Sequence, residues 1–360
     1  MAVKLLSSPV SSLLFECGIG PIVKSSVTLY RVSSLVFFLS GCSALIFETV
    51  WFRVTSIVLG SSIWSASAVL MAFMAGLGLG NAIVAFRGSL IKNPIKLYMA
   101  IEVIIGVSGV AVIYLLPVVS YQLSGSLSDM LGNDGLLNFA RFAIAFLLLL
   151  IPAIAMGSTL PVLHKALHTA DTSFAKSIAH LYGWNTFGAV AGTLVAEFFL
   201  IYWLGVRATA MFACGLNLAA AFILYRNFSY ADRPAEITST SVSFLKHKKL
   251  LIGPAIAGML LLMLEVIWFR YLSMVQQETS TLFSIMLAVV LFGIASGGIA
   301  VSRSKIAEQK TDTVLLYLAT TAAIVTTLSF FLFQIIYANY FRLLIDNQLV
   351  FVFSAFLHFC

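Results

Sequence analysis

Charge is scarce in this chain: Asp, Glu, Lys and Arg make up 10% of its 360 residues, against roughly 25% in a soluble domain. That shortage excludes an ordinary soluble protein with a solvated polar shell. Cysteine is scarce as well. Cys17, Cys42, Cys214 and Cys360 form no CxxC or Cys/His spacing. This excludes a zinc ribbon or dithiol redox centre and leaves them as small apolar residues in helices. No HExxH, GxSxG or Walker arrangement occurs, so no soluble catalytic domain, bound metal or cofactor is expected. The net charge of +7 is spread through short loops between apolar runs, where it sets topology rather than reading phosphates, and no nucleic-acid partner follows from it.

What fills the chain instead is apolar sequence, 61% of residues, with a mean hydropathy of +1.03. A spanning helix needs ~20 residues. Runs of that order lie near 32–58, 64–86, 98–119, 137–156, 178–204 and 207–225, and then near 250–275, 281–301, 313–338 and 348–360. The expectation is an all-α polytopic membrane protein of about ten transmembrane helices, with the lipid bilayer as its main surroundings. Arg87, Lys92 and Lys96 follow the second run, His164, Lys165 and Lys176 the fourth, Arg226 to Lys249 the sixth, and Arg303 to Lys310 the eighth. The loop at 120–136 carries Asp129 and Asp134 and no Lys or Arg. Positive-inside bias therefore places the N-terminus and the basic loops in the cytoplasm. Residues 1–30 read as a cytoplasmic leader, since Glu16 and Gly18 interrupt any signal-peptide core.

One phrase occurs twice. Glu48-Thr-Val-Trp51-Phe52-Arg53 returns 217 positions later as Glu265-Val-Ile-Trp268-Phe269-Arg270, and Gly41–Gly80 is identical to Gly258–Gly297 at twelve of forty positions. Apolar composition alone yields Leu and Val matches, but not Glu, Trp and Arg. The repeated runs are the first and the seventh, so the copies point the same way, as in parallel duplications. The organisation that follows is a leader at 1–30, a first six-helix repeat at 31–225, a cytoplasmic linker at 226–249 and a second repeat at 250–360. That second repeat is expected to be truncated, because the mate of the fourth run would extend past Cys360.

Charges in apolar sequence are functional candidates by default. Gly41, Leu45, Glu48 and Phe52 share one helix face, and Glu48 stands roughly 25 Å along the helix from Arg31. Arg53 lies at about 140° from Glu48 around the axis, a poor partner within its own helix. Pairing across the copies, Glu48 with Arg270 and Glu265 with Arg53, would compensate both buried carboxylates. Two readings stand: an ion-pair clamp, with Trp51 and Trp268 as outer aromatic-belt anchors, or a site for a substrate cation or proton. Asn185, Gly188 and Gly192 line one face of the fifth run, which also holds Glu197; Asn185 is either an interhelical hydrogen-bonding group or a cavity lining. Glu102, near the inner end of the third run, is expected to reach interfacial water. Gly76-Leu-Gly-Leu-Gly80 has no preceding strand and reads as close helix packing, as do Gly293 and Gly297.

The combined motifs resemble the membrane part of the bacterial fused major facilitator/spermidine synthase family. They are Ser40-Gly41 through Arg53, Gly60-Ser61-Ser62, Phe73 through Gly80, Ile151-Pro152 through Met156-Gly157 to Pro161, Leu181-Tyr182 through Asn185-Thr186 to Gly192, and the second Glu-x-x-Trp-x-Arg. The resemblance covers roughly Ser34 to Gly297. It implies a major-facilitator-like six-plus-six bundle in a bacterial inner membrane and a C-terminal aminopropyltransferase domain acting on putrescine. The glycine-rich loop and acidic diamine site of that domain have no counterpart here; Asn133-Asp134-Gly135 is no substitute. The antiporter-type Gly-x-x-x-Asp-Arg loop is also lacking, Arg87 following Ala85-Phe86. What the resemblance leaves for this chain is a membrane module that anchors a synthase-like domain or subunit and handles a polyamine-like cation through Glu48 and Glu265, with Arg53, Arg270, Asn185 and Glu197 nearby. The alternatives are an independent secondary transporter and a structural scaffold.

Overall fold

The computed structural model describes residues 20–60, 62–131, 134–167, 174–228, 248–273, 279–303 and 311–346. The apolar run at 348–360 and most of the linker lie outside them. Every described regular element is helical: α1 (Gly20–Leu59), α2 (Ser62–Arg87), α3 (Pro94–Leu131), α4 (Asp134–Leu167), α5 (Phe174–Val195), α6 (Ile201–Phe228), α7 (Lys248–Ser273), α8 (Thr279–Arg303) and α9 (Thr311–Asp346). A 3-10 turn, Gly88–Leu90, precedes α3, and a π-helical segment, Ala196–Leu200, joins α5 to α6. Sequence this apolar forms helices because lipid offers the backbone no hydrogen-bonding partner, so each segment must satisfy its own.

Eight helices, rather than the expected ten, are long and apolar enough to cross a membrane among the described residues. One of them, Leu181–Asn227, has 47 residues. At ~1.5 Å per residue it would be about 70 Å long, over twice a ~30 Å hydrocarbon core. It breaks at Gly205, whose φ of 75° and ψ of 170° lie where glycine alone is unstrained. The contacts on either side show a reversal. On α5, Gly188 meets Phe38 and Gly192 meets Cys42 of α1, so α5 runs with α1. On α6, Arg207 lies over the Tyr114 ring at 5.5 Å while Cys214 meets Gly106, so α6 runs against α3. Helix α3 in turn runs with α1, as Phe37 pairs with Tyr98 and Trp51 with Gly109. The 47-residue stretch therefore holds the two expected spans, meeting at Gly205.

The chain divides into two compact units, 1–298 and 299–360. In the first, α1 is the central helix: Phe37, Ile46, Phe47, Val50, Trp51 and Phe52 are all buried. Close approach to its neighbours depends on glycine. A Cβ at Gly41 would collide with the Asn185 backbone, and one at Gly188 or Gly192 with Phe38 or Cys42. The expected packing role of Gly76 and Gly80 is likewise met. A Cβ at either would strike the α4 backbone near Ala153 and Ile154, and Gly157 fits against Leu77. Ser158 Oγ donates to the Gly80 carbonyl across this seam at 3.3 Å. At the basic end, Lys165 Nζ donates to the Gly88 and Ile91 carbonyls, tying α4 to the α2–α3 turn. In the second unit α9 is a single long helix, and its described side chains, 316–335, are mostly exposed within that unit.

Candidate functional site

Helix α7, which carries the second copy of the repeated phrase, packs on α2 and reaches the Glu48 face of α1 through its side chains. Equivalent residues face each other across this seam. The Phe52 and Phe269 rings are 5.8 Å apart and edge-on, and Glu48 and Glu265 are close enough for their charges to act on one another. Like meeting like in parallel helices is the relation of a local two-fold axis along them. Both carboxylates are buried, 1% and 4% exposed. Neither oxygen of Glu48, nor Oε1 of Glu265, has a hydrogen-bond partner. One turn further along, three phenylalanines close over the pair. Phe283 of α8 stacks on Phe52 at 4.2 Å with planes 8° apart, and Phe269 stands edge-on to Phe283 at 5.8 Å.

The arginines do not pair as the repeat suggests. Arg53 Nη2 lies 2.6 Å from Glu197 Oε1, and Arg270 is exposed. The cross-copy pairings Glu48–Arg270 and Glu265–Arg53 are thus not formed. The reason is rotational: Glu48 and Phe52 point along the α1–α7 seam, and Arg53, one residue on, projects about 100° away. There the π-helical segment presents Glu197, which is 6% exposed. Single-turn π segments inside long helices recur at functional positions. Glu197 is fully engaged: Thr281 Oγ1 donates to Oε1 at 2.8 Å and Ser284 Oγ to Oε2 at 3.2 Å. This carboxylate joins α1, the α5–α6 connection and α8.

Trp51 is not an outer-belt residue. It is buried, 1% exposed, stacked on Phe47 at 5.5 Å, and its Nε1 donates to the Gly109 carbonyl at 3.1 Å. Trp268 is half-buried beside Tyr271. Among the exposed aromatics, Trp64, Tyr202 and Trp203 lie at the two turns that charge bias assigns to the outer side. Asn185 Nδ2 donates to the Phe37 carbonyl at 3.2 Å, across the α1–α5 seam beside Gly41, about two turns along α1 from Glu48. Glu102 does not reach interfacial water; it is wholly buried.

Of the sequence candidates, the fold brings together Glu48 with Glu265 and Arg53 with Glu197, and leaves Arg270 and Asn185 apart from both. Thr281, Ser284 and Phe283 went unrecognised as site residues. Ser284 had a signal, since it is the repeat mate of Ser67. Thr281 and Phe283 replace Trp64 and Ala66 and gave none. Among the described residues no three or more His, Cys, Asp or Glu gather as a metal site. No protein-family model, curated protein or solved structure matches this chain.

Proposed function

We propose that this chain is a bacterial inner-membrane module of major-facilitator-like plan that binds a small organic cation of the polyamine class between Glu48 and Glu265. It would hold that cation for a synthase-like domain or subunit. The observation behind this reading is the buried pair itself, two carboxylates from equivalent positions with most of their oxygens unpartnered. Two negative charges side by side in a low-dielectric interior repel and are poorly solvated, and a bound cation relieves both costs at once. A diamine offers two ammonium groups to two carboxylates. The Phe52, Phe269 and Phe283 rings, packed on one another one turn along, keep the surroundings of the pair apolar. The polyamine class itself rests on the motif resemblance.

The test is radiolabelled putrescine binding to the full chain in nanodiscs. Glu48→Gln and Glu265→Gln should each weaken binding about tenfold or more, the loss expected for one charged contact. Undiminished binding in both folded variants defeats the reading. A scaffold reading draws on the Arg53–Glu197 clamp. It expects no saturable binding, and greater stability in both variants because the repulsion has been removed. An independent transporter would move putrescine across sealed proteoliposomes without any second protein.

A further inference from the structure

A second buried carboxylate lies between α1 and α3, about two turns along α1 from Glu48, and the Glu48–Glu265 reading leaves it unused. Glu102 of α3 is 0% exposed, and neither of its oxygens has a hydrogen-bond partner. Tyr98, one turn before it on α3, and Ser40 of α1 lie beside it with their hydroxyls directed to the same spot. The Tyr98 hydroxyl is itself buried without a bond of acceptable geometry. Asn217 of α6 is 0% exposed, and both ends of its carboxamide are unpartnered. It packs against Gly106, one turn along α3 from Glu102 and on the same face. Glu102, Tyr98 and Ser40 thus meet between α3 and α1, with Phe37 stacked on Tyr98, and Asn217 of α6 stands one turn along the same face of α3.

We propose that the junction of α1, α3 and α6 is a monovalent-cation site, built from Glu102, Tyr98, Ser40 and Asn217 and suited to Na+. The donor set consists of hard oxygens, which favour hard cations over transition metals. One carboxylate fixes the charge: a monovalent ion makes a neutral site, whereas a divalent ion would leave a net positive charge in low dielectric. A bridging water would satisfy hydrogen bonds but leave the carboxylate charge uncompensated. A proton would neutralise Glu102 and leave the Asn217 carboxamide as it is. A cation draws on both. The site is independent of the organic-cation reading, because it uses other residues.

Equilibrium dialysis of the full chain in detergent against radioactive Na+, with thermal unfolding in NaCl and in choline chloride, tests this. Saturable retention and a higher Tm in NaCl are expected. Retention should vanish in Glu102→Gln, weaken roughly tenfold in Tyr98→Phe, the loss of about one charge-assisted contact, and persist in the Glu48→Gln/Glu265→Gln double variant. If Glu102→Gln fails to fold, Tyr98→Phe and Asn217→Ala decide; full retention in both overturns the proposal. It is also overturned if the parent retains no Na+ and is equally stable in both salts, or if retention is lost with the Glu48/Glu265 pair and kept in Glu102→Gln.

Discussion

The two copies of the repeated segment share their marked residues but not their surroundings. In the first, Gly41, Gly76 and Gly80 are pressed against neighbouring backbones, Trp51 is buried and bonded to Gly109, and Arg53 is bound to Glu197. In the second, no atom lies within 4 Å of where a Cβ would stand on Gly258, Gly293 or Gly297, and Arg270 is exposed. What remains alike is the seam where the copies touch, with Glu48 against Glu265 and Phe52 against Phe269. The difference teaches that a residue in this repeat gets its role from the helices around it. The carboxylates depend on α7, packed on α2, reaching α1. The glycines and arginines depend on α4 and α5 or their equivalents.

The comparison is broken most directly at the glycines. Gly80→Leu drives a branched side chain into the backbone around Ile154, with no flexible neighbour to yield, and should cost about 3 kcal/mol. Gly297→Leu meets open space and should change stability by no more than about 0.5 kcal/mol. Both are measured as shifts in the SDS-titration midpoint of the purified chain. Equal shifts would mean that the second copy is packed as tightly as the first.

The arginines sharpen it next. Removing one partner from a buried pair costs roughly 3–5 kcal/mol. Arg53 has 31% of its side chain exposed, so solvent screening reduces this to about 2 kcal/mol for Arg53→Ala. Arg270→Ala should cost about 0.5 kcal/mol or less. In a double-mutant cycle, Glu197→Gln should recover part of the Arg53→Ala loss, because the uncompensated charge goes while the Thr281 bond remains possible. Additive losses would show that the 2.6 Å pair contributes little.

Most of the fold was legible in the sequence. Apolar runs gave the helices, the gap between 204 and 207 anticipated the break at Gly205, and the repeat gave the parallel setting of α1 and α7. The site was legible only as a set of residues. Which carboxylate meets which cation depends on rotation about each helix axis, and a π segment such as Ala196–Leu200 resets that rotation without a sequence mark. Trp51 could not be told from a belt tryptophan, because an apolar flank suits both a bundle interior and a membrane interface. Glu102 read as interfacial because its distance along α3 was countable, whereas its burial depends on α1 and α6 packing over it.

The smallest expected effect separates the two readings of Asn185. Its amide holds the α1–α5 seam by one bond to the Phe37 carbonyl, beside Gly41, whose counterpart Gly258 has no such neighbour. Interhelical bonds of this kind contribute on average about 0.6 kcal/mol, because the unfolded chain in lipid also finds partners. Asn185→Ala should therefore lower the SDS midpoint slightly. Putrescine binding should stay at the parental level, since the amide meets α1 at Phe37 and Gly41, about two turns along the helix from Glu48. A loss of binding larger than the loss of stability would instead make Asn185 part of the cation's surroundings. That outcome would shift the site from the seam between the copies toward the seam that only the first copy has.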